Sequence, residues 1–431
     1  MVEATYSRAF RRLLVAFLVI ETLAGCQGNR SASESRQRSA GSPTPRLFDS
    51  GVCSTLLGGA SADASAEAGQ ANDAAPDPSD AQAQPPLYDG GRDASVDPLD
   101  GSTDLSANRQ TAKHAILISV DGLGAGYVSQ LLSQRRLPNF AALAAWGAST
   151  LRARPDYDYT ETLPDHTSML TGRPVGPVPG LPNDVYHGYV KNGMPGADET
   201  LHNSGNPNLE YVASVFDVAH DAGLKTCLYS GKPKFVLFAQ SYSETAGAPD
   251  VTGADNGKNK IDRCSIVEQN TQALVAMAAA DMAAGLCDFV FFHIADTDFV
   301  GHSVGWGSPE WLNFLDTVDT WVGTLAKFTA LTQPEPWALV LTADHGGAGY
   351  SHIDPTVLDD YRIPFFVVGP NVKADMDLYQ FVGKNRKDPG LDRIDYTAKP
   401  QPIRNGDAAN TILHLLGLPT VPGSLMKDLL P

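Results

Sequence analysis

Positive charge is scarce in this chain: 32 lysines and arginines face 49 aspartates and glutamates, a formal net charge of −17 over 431 residues. Such an excess of negative charge excludes a nucleic-acid duplex or an anionic membrane surface as an electrostatic partner. It does not exclude a phosphate ester as substrate, because a bound divalent cation inverts the local field. Cysteine is scarce too, five in the whole chain, and none has the neighbours of a nucleophile. The apolar run near the N-terminus, Leu13 to Ile20, is too short to span a bilayer. No internal repeat is present. The length has room for one large α/β domain, or two smaller ones, plus extensions, and the ordinary apolar content of 42% supports a well-buried core.

The start of the chain reads as a targeting segment. Arg8, Arg11 and Arg12 precede the short apolar run, the layout of a signal peptide. The run leads into Leu23-Ala24-Gly25-Cys26, which resembles a bacterial lipobox. That resemblance implies cleavage before Cys26 and a lipid on its sulfur. The expectation is an exported protein, lipid-anchored at the outer membrane or cell surface; Gln27 carries no inner-membrane retention signal. Residues 27–111 are rich in Ala, Asp, Ser, Pro, Gly and Gln with almost no aliphatic clusters, so they cannot offset their ordering entropy by burial and read as a disordered tether. The reading is therefore 1–26 signal peptide with lipobox, 27–111 linker, and 112–431 globular domain. In an oxidising compartment Cys264 and Cys287 can pair, although sequence does not fix connectivity, and Cys227, in a strand-like run, reads as a buried small hydrophobe.

Within 112–431 apolar strand-like runs alternate with helical segments. His114 to Val120, Leu224 to Tyr229, Asp288 to Ala295, Ala338 to Leu341 and Ile363 to Gly369 read as strands, with Pro364 marking an edge or a strand start. Leu137 to Trp146, Asn208 to Ala222, Thr271 to Gly285, Glu310 to Leu331 and Asp407 to Leu418 read as helices. Alternation of this kind predicts an α/β fold with a mostly parallel central sheet flanked by helices.

Three of the apolar runs finish in a carboxylate: Asp121, Asp298 and Asp344. Ligands gather at the carboxyl ends of strands in an open parallel sheet, so these three can meet in one crevice. His302 stands four residues after Asp298, and His345 and His352 follow Asp344 through a glycine-rich turn. A lone strand-terminal Asp is a turn former or a helix cap, but three of them beside three histidines are hard to explain as turn chemistry. Six oxygen and nitrogen donors exceed what one tetrahedral ion needs and suit two ions. Thr162, just before a helix-like stretch, is a candidate nucleophile where a helix N-terminus and a cation both favour an alkoxide.

In this order, Ser119-Val-Asp121-Gly, Thr162-Leu-Pro-Asp-His166 with Thr171-Gly172, Asp298-x-x-Gly-His302 and Asp344-His345-Gly346 resemble the alkaline phosphatase superfamily, and within it the nucleotide pyrophosphatase/phosphodiesterase branch. The resemblance spans about Lys113 to the end. It implies an alkaline phosphatase-like fold and two zinc ions, one on Asp298, His302 and His352, the other on Asp121, Asp344 and His345, with Thr162 touching the metals as nucleophile. It also implies an asparagine binding a phosphoryl oxygen. His187-Gly-Tyr-Val-Lys-Asn192 matches that local pattern, and Asn183 is the rival by spacing. The implied substrate is a small phosphate ester or nucleotide, cleaved at a phosphodiester or pyrophosphate bond.

The chain also departs from the pattern. His352 lies only seven residues past His345, where many relatives carry the third histidine much further downstream, and Asp165 stands where the family often has Asn. His414 reads as packed within the closing helix; Asp296, His166 and His293 read as supporting residues behind the ligands. Lys232-Pro-Lys234 and Tyr186 to Tyr189 read as solvated loop positions. No arginine is evidently aimed at a dianionic phosphate, Arg173 being the nearest candidate, which favours a diester over a monoester. The alternatives are a phosphomonoesterase or C–P bond hydrolase of the same superfamily, or a non-catalytic surface-binding lipoprotein. Oligomeric state is not readable.

Overall fold

A computed structural model describes residues 48–49, 53–56, 111–252, 255–330 and 335–431. The expected signal peptide, Cys26 and most of the linker lie outside the described residues. The strands are β1 (Phe48–Asp49), β2 (Ser54–Leu56), β3 (Ala115–Val120), β4 (Ala148–Ala153), β5 (Thr226–Ser230), β6 (Arg263–Val267), β7 (Phe289–Ile294), β8 (Ala338–Thr342), β9 (Ile363–Val368) and β10 (Met376–Asp377). They form one sheet in the order β1-β2-β6-β5-β7-β3-β8-β9-β4-β10. β2, β6, β5, β7, β3 and β8 run parallel in succession; β9 is antiparallel to both its neighbours, and β1 to β2. The sheet is thus mostly parallel, with helices packed against it.

The centre of the sheet explains its own sequence. β3, β7 and β8 are buried at every position, which is why they read as unbroken apolar runs rather than alternating ones. Ile116 pairs with Val290 on one side and Leu339 on the other. Helices Thr271–Ala283, Pro309–Ala326 and Asp407–Leu415 cover the faces with residues such as Leu274, Trp311, Val322 and Ile412. Pro364 sits at the second position of β9, a strand start; β9 is interior, between β8 and β4.

Several expectations are corrected. The helix expected from Asn208 begins only at Val215, because Ser214 and Asp217 close a reciprocal capping box there. Asp298 does not end a strand: β7 stops at Ile294, and Asp298 lies in the first turn of helix Asp296–Val304. Two short strands, β1 and β2, fall inside the stretch read as linker, and β2 pairs with β6. Cys264 does not pair with Cys287. It is bonded to Cys53, and Cys227 to Cys287, with Cα–Cα distances of 4.7 and 5.9 Å. The sheet order is the reason: β5 stands between β6 and β7, so Cys287, just before β7, meets Cys227 on β5, while Cys264 on β6 faces the segment outside it.

Candidate metal centre

The carboxyl ends of three adjacent strands, β7, β3 and β8, build the centre. Asp121 follows β3, Asp344 follows β8, and Asp298 sits just past β7. Asp298 and His302 are one helical turn apart and so share a face, with His302 Nε2 3.4 Å from Asp298 Oδ1. His352 Nε2 reaches the same oxygen at 3.5 Å. His345 Nε2 lies 3.5 Å from Asp121 Oδ1 and 3.3 Å from Asp344 Oδ2. Two groups result, Asp298/His302/His352 and Asp121/Asp344/His345, with the donor atoms of each within 4.8 Å of one another. The rings of His345 and His352 stack at 3.7 Å and join the groups.

The polar atoms at this centre fit cations. Each histidine points Nδ1 at a backbone carbonyl: His302 at Tyr350 (3.0 Å), His345 at Gly346 (2.8 Å) and His352 at Thr160 (2.6 Å). A carbonyl only accepts, so Nδ1 carries the proton and Nε2 presents a bare lone pair toward the carboxylates. Asp121 Oδ1, Asp298 Oδ1, Asp344 Oδ2 and His345 Nε2 are buried with no hydrogen-bond partner. Lone pairs facing anionic oxygens repel unless a cation lies among them, and orphaned buried acceptors are costly. Burial pushes the His345 imidazole down to about 3, and His352 below its ordinary value, so both are neutral and competent as ligands.

Glycine makes the turn after Asp344 possible. A Cβ on Gly347 would run into the Trp306 ring, whose indole N–H donates to Gly122 O at 2.9 Å and whose face lies edge-on to His302 and His352. The close approach seats His352 near Asp298.

Thr162 opens helix Thr162–Thr171 and is buried. Glu161, its N-cap, supplies no side-chain cap. Asn192 Oδ1 instead accepts from Leu163 N at 3.0 Å, and Asp165 accepts from Glu161 N at 3.1 Å. Asn192 is thus brought to the helix that carries Thr162. Asn183 is exposed and touches Asn206 through its backbone carbonyl.

Lys232 and Lys234 are not solvated loop positions. Lys232 is buried, with Nζ 2.6 Å from Asp121 Oδ2, 2.7 Å from Asp298 Oδ2 and 3.1 Å from Thr162 Oγ1. Burial disfavours its charge, but Asp121 and Asp298 outweigh that and raise the ammonium above its ordinary value. Lys234 Nζ donates to Asn192 Oδ1 at 2.8 Å; burial and then Lys232 push it down to about 8. The overlooked signal was positional: both follow Ser230, the carboxyl end of β5, by the rule applied to Asp121.

Supporting residues complete the picture. His293 Nε2 lies 3.0 Å from Asp121 Oδ2 and Nδ1 2.9 Å from Ser230 Oγ. His166 donates Nδ1–H to Thr162 O at 2.7 Å. Asp296 accepts from Thr271, away from the centre. Arg173 is engaged by the carbonyls of Asp184 and Pro422, not by the centre. Burial, then repulsion from Asp121, raises Asp344 well above its ordinary value. In Asp121 burial is outweighed by Lys232 and the neighbouring histidines, which hold it well below.

The model of the type I phosphodiesterase/nucleotide pyrophosphatase family matches residues 115–363. The chain belongs to this family. It is a hydrolase of the phosphodiesterase/nucleotide pyrophosphatase family, and all the ligand candidates, Thr162 and Asn192 lie inside the matched span. No curated protein matches the sequence. Among solved structures, murine ectonucleotide pyrophosphatase/phosphodiesterase 5, an inactive variant in complex with AMP, is 14% identical at a TM-score of 0.47 over 72% of this chain and 96% of that one. A phosphonate monoester hydrolase from Silicibacter pomeroyi is 16% identical at 0.46 over 73% and 75%. A phosphonoacetate hydrolase from Sinorhizobium meliloti with phosphonoformate is 20% identical at 0.37 over 55% and 57%.

Proposed function

We propose that this family member hydrolyses phosphodiester or nucleotide pyrophosphate bonds with Thr162 as nucleophile beside two divalent cations, zinc being the ion that two-histidine, one-carboxylate and one-histidine, two-carboxylate donor sets suit. The observation that supports it is the set of orphaned acceptors and bare imidazole nitrogens, tied to the Thr162 hydroxyl by Lys232, which bonds Asp121, Asp298 and Thr162 together. Asp298, His302 and His352 would hold one ion, and Asp121, Asp344 and His345 the other. When bound, the pair supplies Lewis-acid polarisation of phosphoryl oxygens.

The chain's own residues do the rest. Thr162 Oγ1, which accepts from Lys232 at 3.1 Å, gives up its proton and attacks phosphorus; the new P–O bond replaces the bond to the leaving alcohol or phosphate, which takes up a proton in turn. Water then cleaves the phosphothreonine ester and regenerates the hydroxyl. Lys232 offsets charge on Oγ1. Asn192, its oxygen already held by Leu163 N and Lys234, keeps its amide donor for a phosphoryl oxygen. Thr162→Ala should abolish turnover while bound metal persists; a fully active variant overturns the reading.

One observation favours a second reading. The diester expectation rested on the lack of an arginine clamp, and Lys232 donates to the nucleophile while Lys234 donates to Asn192 at the same helix start. Such a pair suits the dianion of a monoester or phosphonate. Turnover of p-nitrophenyl phosphate above that of bis-p-nitrophenyl phosphate would select it. Export and lipid anchoring through Cys26 complete the proposal.

A further inference from the structure

Each carboxylate of the centre keeps one oxygen bare and has the other engaged by donors. Asp344 Oδ1 accepts from Gly122 N at 3.1 Å and His345 N at 2.9 Å, and Asp298 Oδ2 accepts from Lys232 Nζ at 2.7 Å. Asp121 Oδ2 has two donors, Lys232 Nζ at 2.6 Å and His293 Nε2 at 3.0 Å. The oxygens left over, Asp344 Oδ2, Asp298 Oδ1 and Asp121 Oδ1, are those with no hydrogen-bond partner. The donors thus decide which oxygen of each carboxylate is free for an ion. Gly122 and His345 act here through the backbone, and Lys232 is shared by two carboxylates. His293 is the side chain that serves Asp121 alone.

His293 differs from the other histidines of the centre in where its proton lies. His166, His302, His345 and His352 each point Nδ1 at a backbone carbonyl and carry the proton there. His293 points Nε2 at Asp121, and a carboxylate only accepts, so this ring carries its proton on Nε2. Ser230, its register partner across β5 and β7, holds that tautomer. Ser230 Oγ accepts from Lys232 N at 3.1 Å, and its hydrogen finds His293 Nδ1 at 2.9 Å, nearer than Lys232 O at 3.4 Å. Both side chains are fully buried, so water does not substitute for either. The ring has a second contact: Phe235 stacks on it with centroids 4.2 Å apart and 17° between the planes, which packs the segment carrying Lys232 and Lys234.

We infer that His293 is a positioning residue acting through Asp121: its Nε2–H, held in place by Ser230, keeps Asp121 Oδ1 turned to the cation of the Asp121/Asp344/His345 group. This rests on the proposed two-cation centre. Two variants of the full chain separate the donor from the ring. His293→Gln keeps an N–H for Asp121 and loses the stack; His293→Phe keeps the stack and loses the donor. Zinc per chain is measured in zinc buffers, beside the zinc concentration that gives half-maximal turnover. His293→Phe should bind one of two ions about ten- to hundredfold more weakly, the scale of removing a hydrogen-bonding partner behind a metal ligand, and half-activation should shift with it. His293→Gln should stay close to the parent chain. Ser230→Ala, a smaller change that keeps the test open if His293→Phe does not fold, should weaken the same ion by a smaller factor. In His345→Ala, whose group is already broken, adding His293→Phe should leave the remaining ion unaffected. Parent-like zinc affinity in His293→Phe or in Ser230→Ala overturns the inference. So does a His293→Gln as weak as His293→Phe, which assigns the loss to ring packing, or a loss that persists in His345→Ala. A parent chain that binds no zinc overturns the two-cation reading and this inference with it.

Discussion

The two ligand groups differ in how they meet solvent. Asp121, Asp344 and His345 are fully buried, whereas His302 of the other group has 45% of its side chain exposed. The closed group grows from the ends of the two central strands β3 and β8; the open group stands on a helix and on the far end of a glycine turn. His345 of the closed group and His302 of the open group titrate in opposite directions. Burial drives His345 down to about 3, while the Asp298 carboxylate beside His302 raises that imidazole above its ordinary value. The closed group is a pre-built part of the core, and the open group is the one that solvent reaches, through His302.

The sharpest way to break this contrast is to remove one histidine from each group. His345→Ala should lower kcat/KM on the order of a thousandfold, the scale of several kcal/mol of lost charge stabilisation. His302→Ala should cost only about ten- to hundredfold, roughly 1.4–3 kcal/mol, because solvent can take the place of a half-exposed ligand. Metal analysis during graded chelation should show the open group emptying first. Equal losses, or simultaneous release, would erase the distinction.

A smaller effect tests how the closed group is tied to Thr162. Asp165 accepts from the backbone of Asp156 (2.8 Å) and Glu161 (3.1 Å) and from Asn405 (3.1 Å), whose amide also reaches Asp344 O at 3.3 Å. Asp165→Ala strands buried donors and should cost about 3 kcal/mol of stability, a fall of several degrees in Tm, with about tenfold in kcat. Unchanged kcat in a destabilised variant would assign Asp165 to folding alone.

The smallest expected effect concerns the wall of the glycine turn. Asp360, whose carbonyl accepts from Gly346 N at 2.8 Å, is pushed up to about 7, mainly by burial and then by neighbouring acids. Between the ordinary 3.8 and about 7 the unfolded chain releases a proton that the folded chain keeps, so stability falls as pH rises through that window. Asp360→Asn should therefore raise Tm by a few degrees at pH 8 and leave it unchanged at pH 3. A gain of equal size at both values would point to packing instead of ionisation.

Much of the fold was legible because the central strands are buried on both faces and show as continuous apolar runs. β4, β6 and β10 were not legible: Ala148-Ser-Thr-Leu-Arg-Ala153 and Arg263-Cys-Ser-Ile-Val267 mix polar and apolar residues near the sheet margins. The residues proposed as ligands could be named because side chains at adjacent strand ends must converge. Lys232 and Lys234 could not be given their place, since a lysine after a strand looks alike whether it faces water or two carboxylates.

By itself the sequence determined the alternation of strand and helix, the parallel sheet that follows from it, and the identity of the residues able to ligate metal, because periodicity and donor chemistry are local properties. Only the tertiary structure decided which cysteines meet, which lysine lies between Asp121 and Asp298, and which asparagine reaches the Thr162 helix. Those are questions of distance between segments far apart in the chain, settled by strand order and packing.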